Sequence, residues 1–511
     1  MNSSASVRAI LIFIAAAALA LWLGVSVATD QFETLLKVVA AVGFIICVLL
    51  GRRIWLLMIF LVAMNVPLIR GISTVDIGQA LFIGFSGMIF LMRRLPLSFK
   101  FGELELWMIL IAATVVQVYL RNPVGLNIFG AGAVGGRPYF AVGTAWLTGA
   151  LMSALIVPAS ELKWAMRLTI IGSIAGAVFT TVRMRFGGGG GAEPAGIAAS
   201  TGGAGSSRVT IFGYLAPAIA RTVASYVSPL RACFHPFWAP LILLSFALAA
   251  GSGYRNIVAT VGIYYLIAIA YRGGFISVVI ASLAAAMGLG ALALFNLAVP
   301  LPANWQRALS PFPGTWEERY VQAAEESTEW RVAMWKEALF TDFWIQNKLL
   351  GDGLGFTRRE LEMMEAMEAG QVFESMGSGL SAQQETMMIT GGYHSGPVQT
   401  VRTVGYVGLA VLMLAMIRVA VHGHREILRC RGTEWYPLAL FMALPSIALP
   451  LVFTFVFGEF RTATSQVFFA YGMITLMKRN LPLPAYVKPV RGAYILNRRA
   501  QLPGGPATLP G

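Results

Sequence analysis

Long runs of apolar residues alternate with short segments rich in Lys, Arg, Gly or Pro along nearly the whole chain. A helix needs about 20 mostly apolar residues to cross the hydrocarbon core of a bilayer, so each run predicts a membrane-spanning helix. By this rule we predict about 14 spans. They lie at residues 9–29, 33–51, 54–70, 75–92, 105–120, 140–157, 163–182, 209–227, 236–252, 255–271, 274–299, 402–421, 435–456 and 462–478. The pattern therefore predicts an all-α, polytopic membrane protein.

Two polar segments interrupt this pattern and divide the chain. Residues 183–207 contain consecutive glycines, Gly187 to Gly191, without the Gly-Lys-Ser/Thr ending of a phosphate-binding loop, so we interpret them as a flexible outer linker. Residues 300–396 are the only sizeable polar region and predict a loop domain. The predicted organisation is spans 1 to 11 in 1–299, the loop domain in 300–396, three more spans in 397–480 and a cytoplasmic, disordered Pro- and Gly-rich tail in 481–511.

Helical periodicity is also present inside the loop domain. Residues 314–343 and 358–376 predict helices. The first of these helices carries an apolar stripe at helical spacing, which we assign mainly to packing. The stripe consists of Trp330, Met334, Ala338 and Leu339.

Composition agrees with a membrane protein and excludes several other classes. The 511 residues are 57% hydrophobic and 12% charged, whereas a soluble domain carries about 25% charged residues. Mean hydropathy is +0.70. The net charge of +14 comes from basic residues that stand singly or in pairs between apolar runs, which argues against nucleic-acid binding. The three cysteines are far apart in sequence and imply neither a disulfide framework nor a metal ribbon.

Charge also orients the chain, because Lys and Arg concentrate on the cytoplasmic side of a membrane. With the N-terminus inside, the basic pairs Arg52-Arg53, Arg93-Arg94 and Lys478-Arg479 all fall in cytoplasmic segments. Residues 300–393 hold 14 of the 24 acidic residues and 7 of the 38 basic ones, which places the loop domain outside. We interpret the first apolar run as a span rather than a cleaved signal peptide, although Ser26-Val27-Ala28 loosely resembles a cleavage site.

Only one of the four histidines, His394, falls on the outer side in this topology. It stands where the loop domain returns to the membrane. Ser395 and Gly396 can cap the next helix, and Pro397 suits its first turn. A neutral imidazole with a pKa near ~6.5 is suited to accept a proton from an attacking hydroxyl. The alternative is that His394 is a structural residue at the start of a helix.

The residues that follow this histidine form a recognisable pattern. His394-Ser395 is followed by nine residues, then Gly405, two residues and Gly408. This pattern, His-(Asn/Ser/Gln), nine residues, Gly, two residues, (Gly/Thr/Tyr), resembles the motif of the bacterial O-antigen ligase family, and it falls after the large outer loop as in that family. The two glycines also fit close helix approach in lipid.

Other segments resemble the same family over about 250–410. The run Trp330-Arg331 to Trp335, followed by Gly351-Asp352-Gly353-Leu354-Gly355, is similar to the family's Arg…Trp…Gly-x-Gly run. Ser252-Gly253-Tyr254-Arg255 resembles its small-residue-then-Arg signature, in a looser form. Arg208 precedes a span much as another family arginine does.

This resemblance implies a metal-independent, inverting glycosyltransferase of the C-type architecture without a cofactor. Arg255, Arg331 and His394 would take the places of the essential basic residues. The donor would be a glycan on polyprenyl pyrophosphate, and the acceptor would be the lipid A core or a growing glycan. The protein would lie in the bacterial inner membrane, in contact with membrane lipid, with its active site facing the periplasm.

The chemistry can also be argued from the residue types. The leaving pyrophosphate gains negative charge, and arginine forks bind such oxygens bidentately while keeping their own charge. Arg255 and Arg331 are therefore candidates to stabilise it. Arg208, Arg402, Ser395 and Trp335 are candidates for substrate binding. The chain contains no Asp-x-Asp pair of the metal-dependent C-type enzymes, so metal-independent chemistry is favoured.

Structural roles remain open for each of these residues. Arg255 can anchor a helix end by snorkelling, and Arg331 can pair with Glu326 or Glu329. Arg402 is either a phosphate contact or a polar residue facing the interior. Trp335 fits a helical core better than a sugar-stacking platform. The glycines at 351, 353 and 355 fit a turn better than a ligand contact.

Three related activities and one unrelated class compete on this sequence. A ligase, a polysaccharide polymerase and a protein O-oligosaccharyltransferase share the donor class and differ in the acceptor. A polysaccharide-related transporter or flippase is the rival from another class. Transporters place functional charges near the bilayer midplane, whereas the candidate residues here are predicted at the outer edge.

Overall fold

The computed structural model describes residues 43, 45, 47–69, 72–93, 95–124, 135–186, 209–356, 360–363, 365 and 387–483. The predicted span 9–29, most of 33–51, the run of glycines at 187–191, Arg208, most of the predicted helix 358–376 and the tail from residue 484 lie outside the described residues.

The described chain is almost entirely helical. Its helices, which follow a short 3-10 turn at Gly51–Arg53, are α1 (Ile54–Met64), α2 (Thr74–Leu91), α3 (Glu103–Arg121), α4 (Arg137–Ala154), α5 (Ala159–Phe186), α6 (Thr210–Tyr226), α7 (Pro229–Ala232), α8 (Trp238–Gly251), α9 (Arg255–Ala298), α10 (Ala303–Leu309), α11 (Glu318–Phe340), α12 (Gly396–Cys430), α13 (Tyr436–Leu451) and α14 (Phe460–Asn480). A π-helical turn, Val452–Val456, extends α13.

The expected class of an all-α membrane protein agrees with these helices. Seven helical segments of the described chain are long and apolar enough to cross a membrane. They are Cys47–Met64, Thr74–Leu91, Glu103–Arg121, Ala159–Val182, Arg255–Ala298, Gly396–Cys430 and Tyr436–Val456. Large apolar side chains point outward from them, such as Leu91 and Phe275, which suits a surface covered by lipid tails. The total of 14 spans stays a prediction.

One predicted boundary was wrong. The predicted span 54–70 ends early, because α1 stops at Met64 and Asn65 takes a left-handed conformation with φ 43°. The chain then folds back as two short antiparallel strands, β1 (Pro67–Ile69) and β2 (Ile72–Ser73). Ser73 begins α2 with a capping box, in which its side chain and that of Asp76 each accept a backbone N–H of the other residue.

Two long helices contain a break at a glycine. The predicted spans 255–271 and 274–299 form α9, which is interrupted at Gly274 (φ 76°, ψ −173°). The helix α12 is interrupted in the same way at Gly405 (φ 74°, ψ −178°). This backbone conformation is accessible essentially only to glycine. The surroundings differ, since a Cβ at Gly274 would meet open space, whereas one at Gly405 would meet the backbone of Leu349.

The loop domain has a hydrophobic core of its own, formed with the N-terminal end of α12. The predicted helix 314–343 corresponds to α11, and its apolar stripe is confirmed, because Met334 and Ala338 are buried and Trp330 and Leu339 pack against the same cluster. Tyr393, Val398 and Val401 complete that cluster from the start of α12. The helix α11 is thereby fixed against the segment that contains His394.

Candidate functional site

The break in α12 is filled by the backbone of the loop domain. In a continuous helix the N–H groups of Tyr406 and Val407 would bond to carbonyls four residues earlier. Here the Tyr406 N–H donates to the Lys348 carbonyl at 2.8 Å, and the Val407 N–H donates to the Leu349 carbonyl at 3.2 Å. The donors released at Gly405 are therefore satisfied by another segment of the chain.

The carbonyl groups released by the same break are satisfied in the same way. The Arg402 carbonyl accepts the N–H of Asp352 at 2.7 Å, and the Thr403 carbonyl accepts the N–H of Gly353 at 3.2 Å. The approach is close, since a Cβ at Gly351 would stand 2.5 Å from the Thr403 oxygen. Residues 348–353 thus replace one turn of helix hydrogen bonding, which explains glycines on both sides of the contact.

The inserted segment is stabilised internally by two polar side chains. The buried carboxylate of Asp352 accepts the N–H groups of Gln346 and Asn347, each at 2.8 Å. The side-chain oxygen of Asn347 accepts the N–H of Leu350 at 2.8 Å. Gly351 has φ 82°, which fits the tight turn that these bonds close. The turn is thus the role that the contacts favour for this glycine-rich run.

The helices α3 and α4 hold the other side of the insertion. Gln117 and Arg121 donate to the Leu350 carbonyl at 2.8 and 3.0 Å, and Arg121 also donates to the next carbonyl. Asn122 donates to the Asp352 carbonyl at 2.8 Å. The hydroxyl of Tyr139 accepts the N–H of residue 354 at 3.1 Å. The loop domain is therefore bonded to the membrane bundle at its base.

His394 lies directly before α12 in a left-handed conformation, with φ 51°. Its side chain is half-buried, and its ring centroid stands 6.0 Å from that of Phe457, just after the π-helical turn. Ser395 occupies the N-cap position and Pro397 the first turn, as predicted, although the Ser395 side chain makes no capping bond to the described first turn of α12. A non-glycine residue with positive φ is uncommon and marks a constrained position.

The residue before His394 is fixed to α11. The Trp335 indole Nε1–H donates to the Tyr393 carbonyl at 2.7 Å. The Tyr393 side chain is fully buried, which raises the pKa of its phenol. Trp335 thus takes a structural position beside the candidate base.

One face of α11 leads from Arg331 towards a cavity that Arg255 lines. Arg331 lies four residues before Trp335, so both project from the same side of the helix, about 6 Å apart along its axis. Thr328 continues that face by a further turn. Thr328 also lines a cavity of about 430 Å³, together with Arg255, Ser310, Pro311, Val321, Ala324, Glu325 and Glu329.

Arg331 lies on α11, His394 precedes α12 and Arg255 begins α9, so the three predicted catalytic residues come from three different elements. The Trp335–Tyr393 hydrogen bond joins the α11 face of Arg331 to the segment that contains His394, whereas Arg255 lines the cavity beside the preceding turns of α11. The cavity beside Arg255 is not lined by the other two residues. A cation at a helix N-terminus opposes the helix dipole, so Arg255 does not stabilise α9 by its position. Arg208 lies outside the described residues.

Arg402 is placed in the interior. It is 5% exposed and forms an ion pair with Glu360, which is 8% exposed. Of the two roles open to it, this burial favours the polar residue facing the interior over the phosphate contact. Glu360 lies in the segment predicted to be helical, but its pairing with Arg402 was not predictable, because the two residues are 42 positions apart.

Sequence reasoning missed the short polar segment between the last two helices. Residues 457–459 pack under the start of α12, where a Cβ at Gly458 would stand 2.9 Å from the Gly396 Cα. Glu459 occupies the N-cap position of α14, and its carboxylate accepts the Thr462 hydroxyl at 2.9 Å. The predicted topology could have pointed to this segment, since the predicted spans place it on the same side of the membrane as His394.

No group of three or more metal-ligating side chains that could hold an ion occurs in the part of the chain that the structure describes. Neither a protein-family model nor a curated protein sequence matches the chain. The resemblance to the O-antigen ligase family thus rests on the residues themselves.

Proposed function

We propose that this protein is a membrane glycosyltransferase, which moves a glycan from polyprenyl pyrophosphate to an acceptor hydroxyl at the outer face of the bacterial inner membrane. The observation that carries the proposal is the constrained His394 at the start of a broken helix, bonded through Tyr393 to the α11 face that bears Arg331. A base and a permanent cation on two elements that this hydrogen bond joins match the two needs of this reaction.

In the proposed reaction the acceptor oxygen attacks C1 of the donor sugar. A new C1–O bond forms as the bond from C1 to the pyrophosphate oxygen breaks, with inversion at C1. The acceptor proton passes to the neutral imidazole of His394, and the electron pair of the broken bond leaves with the pyrophosphate. Arg331 stabilises the charge that develops on the leaving group. This step needs only the side chains named and the two substrates.

The cavity beside Arg255 suits the sugar better than the pyrophosphate. Two carboxylates, Glu325 and Glu329, face one guanidinium there, so the lining is net negative and opposes an anion. The carboxylates can accept from sugar hydroxyls, and so can the Ser310 and Thr328 oxygens, whose own hydrogens are donated to the Arg307 and Ala324 carbonyls. A volume of about 430 Å³ lies within the range of small-molecule sites. We therefore assign Arg331 to the pyrophosphate and the Arg255 cavity to glycan units beyond the reacting sugar.

Assigning the Arg255 cavity to the glycan predicts whether KM for the donor rises or falls when the cavity carboxylates are removed. Replacing both Glu325 and Glu329 by glutamine weakens charge-assisted bonds to sugar hydroxyls, so KM for the lipid-linked donor is expected to rise about tenfold, equivalent to ~1.4 kcal/mol. KM is measured with purified protein in nanodiscs. The double substitution Glu318→Gln/Glu326→Gln, on the same helix but outside the cavity lining, is the matched control. A fall in KM would instead place the pyrophosphate at Arg255, because removing two negative charges favours an anion.

The function is tested by the surface-polysaccharide profile of a strain that lacks this protein, with and without the wild-type chain restored. If the protein is a ligase, the strain that lacks it is expected to have a bare lipid core and to accumulate long polyprenyl-linked polymer. Restoring the chain is expected to return polymer to the core. An unchanged profile in the strain without the protein would contradict the proposal.

The alternative is a polymerase that uses the same donor. In that case the core would carry a single repeat unit when the protein is missing, because chain growth fails while ligation continues. A transporter is disfavoured by the break in α12. Transporters use the free carbonyls of broken helices to coordinate ions, but here the Arg402 and Thr403 carbonyls accept bonds from the loop domain.

A further inference from the structure

We propose that Arg402 is a positioning residue, which holds His394 in place by supporting the turn before it and does not contact the donor. The inference rests on the proposed function for its catalytic meaning. The placement of His394 by Arg402 is a structural claim that can be tested without activity. It also gives a reason for the distance between the histidine and the first glycine of the motif.

The Nη2 group of the Arg402 guanidinium is committed to a protein carboxylate, and its Nε is buried without a hydrogen-bond partner in the described part of the chain. The side chain is 5% exposed and is paired with the Glu360 carboxylate, itself buried. The Asp352 carboxylate is also close enough for its charge to act on it. A donor phosphate could reach the guanidinium only by displacing Glu360, which would leave a buried carboxylate unpaired.

The guanidinium instead supports the turn that leads to His394. Gly391 has φ 71°, and a Cβ added there would stand 2.7 Å from Cδ and 2.9 Å from Nε and Nη1 of Arg402. The backbone of this glycine therefore rests directly on the side chain. The turn is closed by the N–H of Gly392, which donates to the Met387 carbonyl at 2.8 Å. His394 follows three residues after the contact.

The backbone of Arg402 is itself fixed, because its carbonyl accepts the Asp352 N–H inside the break of α12. The segment from Gly396 to the break is one short helical rod. Its outer end carries His394, and its inner end is bonded to residues 348–353. From within this rod the Arg402 side chain reaches back to Gly391. The base is thus tied to the loop domain at both ends of the rod.

The experiment uses the full-length protein in nanodiscs with ¹³C-labelled histidine, since four histidines give four signals that His→Gln variants assign. Two variants disturb the support by different routes. Gly391→Ala displaces the guanidinium and keeps both charges. Arg402→Met/Glu360→Leu removes the ion pair as a unit, so that no buried charge is left alone. Both are expected to shift the His394 signal. Arg429→Met/Glu426→Leu removes the other buried ion pair of α12 and is expected to leave that signal in place.

Binding of undecaprenyl pyrophosphate without a glycan is measured on the same samples. A positioning role leaves its Kd unchanged in both test variants while transfer falls about 100-fold, as expected for a base displaced by about 1 Å. An Arg402 that contacts phosphate would raise this Kd in the Arg402 variant, and that result would overturn the proposal. An unmoved His394 signal in both variants would also overturn it. If the His394 signal shifts but glycan transfer does not depend on His394, the positioning of His394 by Arg402 stands. The proposed function is then refuted.

Discussion

Replacing His394 by asparagine is expected to lower glycan transfer by at least about 100-fold while the protein stays folded, because a positioned general base contributes roughly 10²–10⁴ in rate. Asparagine is the informative choice. Asparagine tolerates the left-handed conformation that His394 adopts at φ 51° better than alanine does. Its side chain cannot accept the proton at neutral pH. The loss is therefore chemical rather than conformational.

The measurement is the amount of glycan on the acceptor, with the amount of membrane-inserted protein determined in the same cells. His235→Asn is the control, since that histidine is exposed and is predicted to face the cytoplasm. Normal transfer by the His394 variant would remove the catalytic assignment and leave a structural residue at the start of α12. Equal losses in both variants would indicate a general defect in insertion.

The helices were predictable because their signal is local. Apolar runs of the right length gave α4, α6, α8, α13 and α14 to within a few residues, since burial in lipid depends on composition over one turn after another. The strand pair after α1 was not predictable in this way. It depends on Asn65 ending the helix with a left-handed residue inside a run that is still apolar.

In the candidate site, too, residues with local signals were predictable and residues with long-range contacts were not. His394 could be found from the sequence because a lone histidine, a helix start and a topological side are all read locally. Arg402 could not be placed, because its partner Glu360 and its contact Gly391 are brought together only by the folded loop domain. The motif identified Gly405 but did not show why a glycine is needed there. That reason is a backbone contact with Leu349, which is 56 positions earlier.

Gly405→Ala is expected to have the largest effect on stability, and Gly274→Ala provides a matched control. Both glycines break a helix with nearly the same backbone angles, so alanine has a similar conformational cost of ~1–3 kcal/mol at either site. At Gly405 the added Cβ would also stand 2.1 Å from the Leu349 oxygen, whereas at Gly274 no atom lies within 4 Å. The additional loss at Gly405 therefore reports the inserted segment.

The clash at Gly405 cannot be relieved by a side-chain rotation, because the opposing atoms belong to the backbone. Residues 348–353 must move away, and the hydrogen bonds that fill the break are lost, each worth a net ~0.5–1.5 kcal/mol. We expect the thermal midpoint in detergent to fall several degrees further for Gly405→Ala than for Gly274→Ala, with protease cleavage appearing in the loop domain of the first variant alone. Transfer should be lost with it, since the rod that carries His394 is anchored at this break. Equal midpoints in the two variants would mean that the loop backbone does not occupy the break, and the fixed distance from His394 to Gly405 would then need another cause.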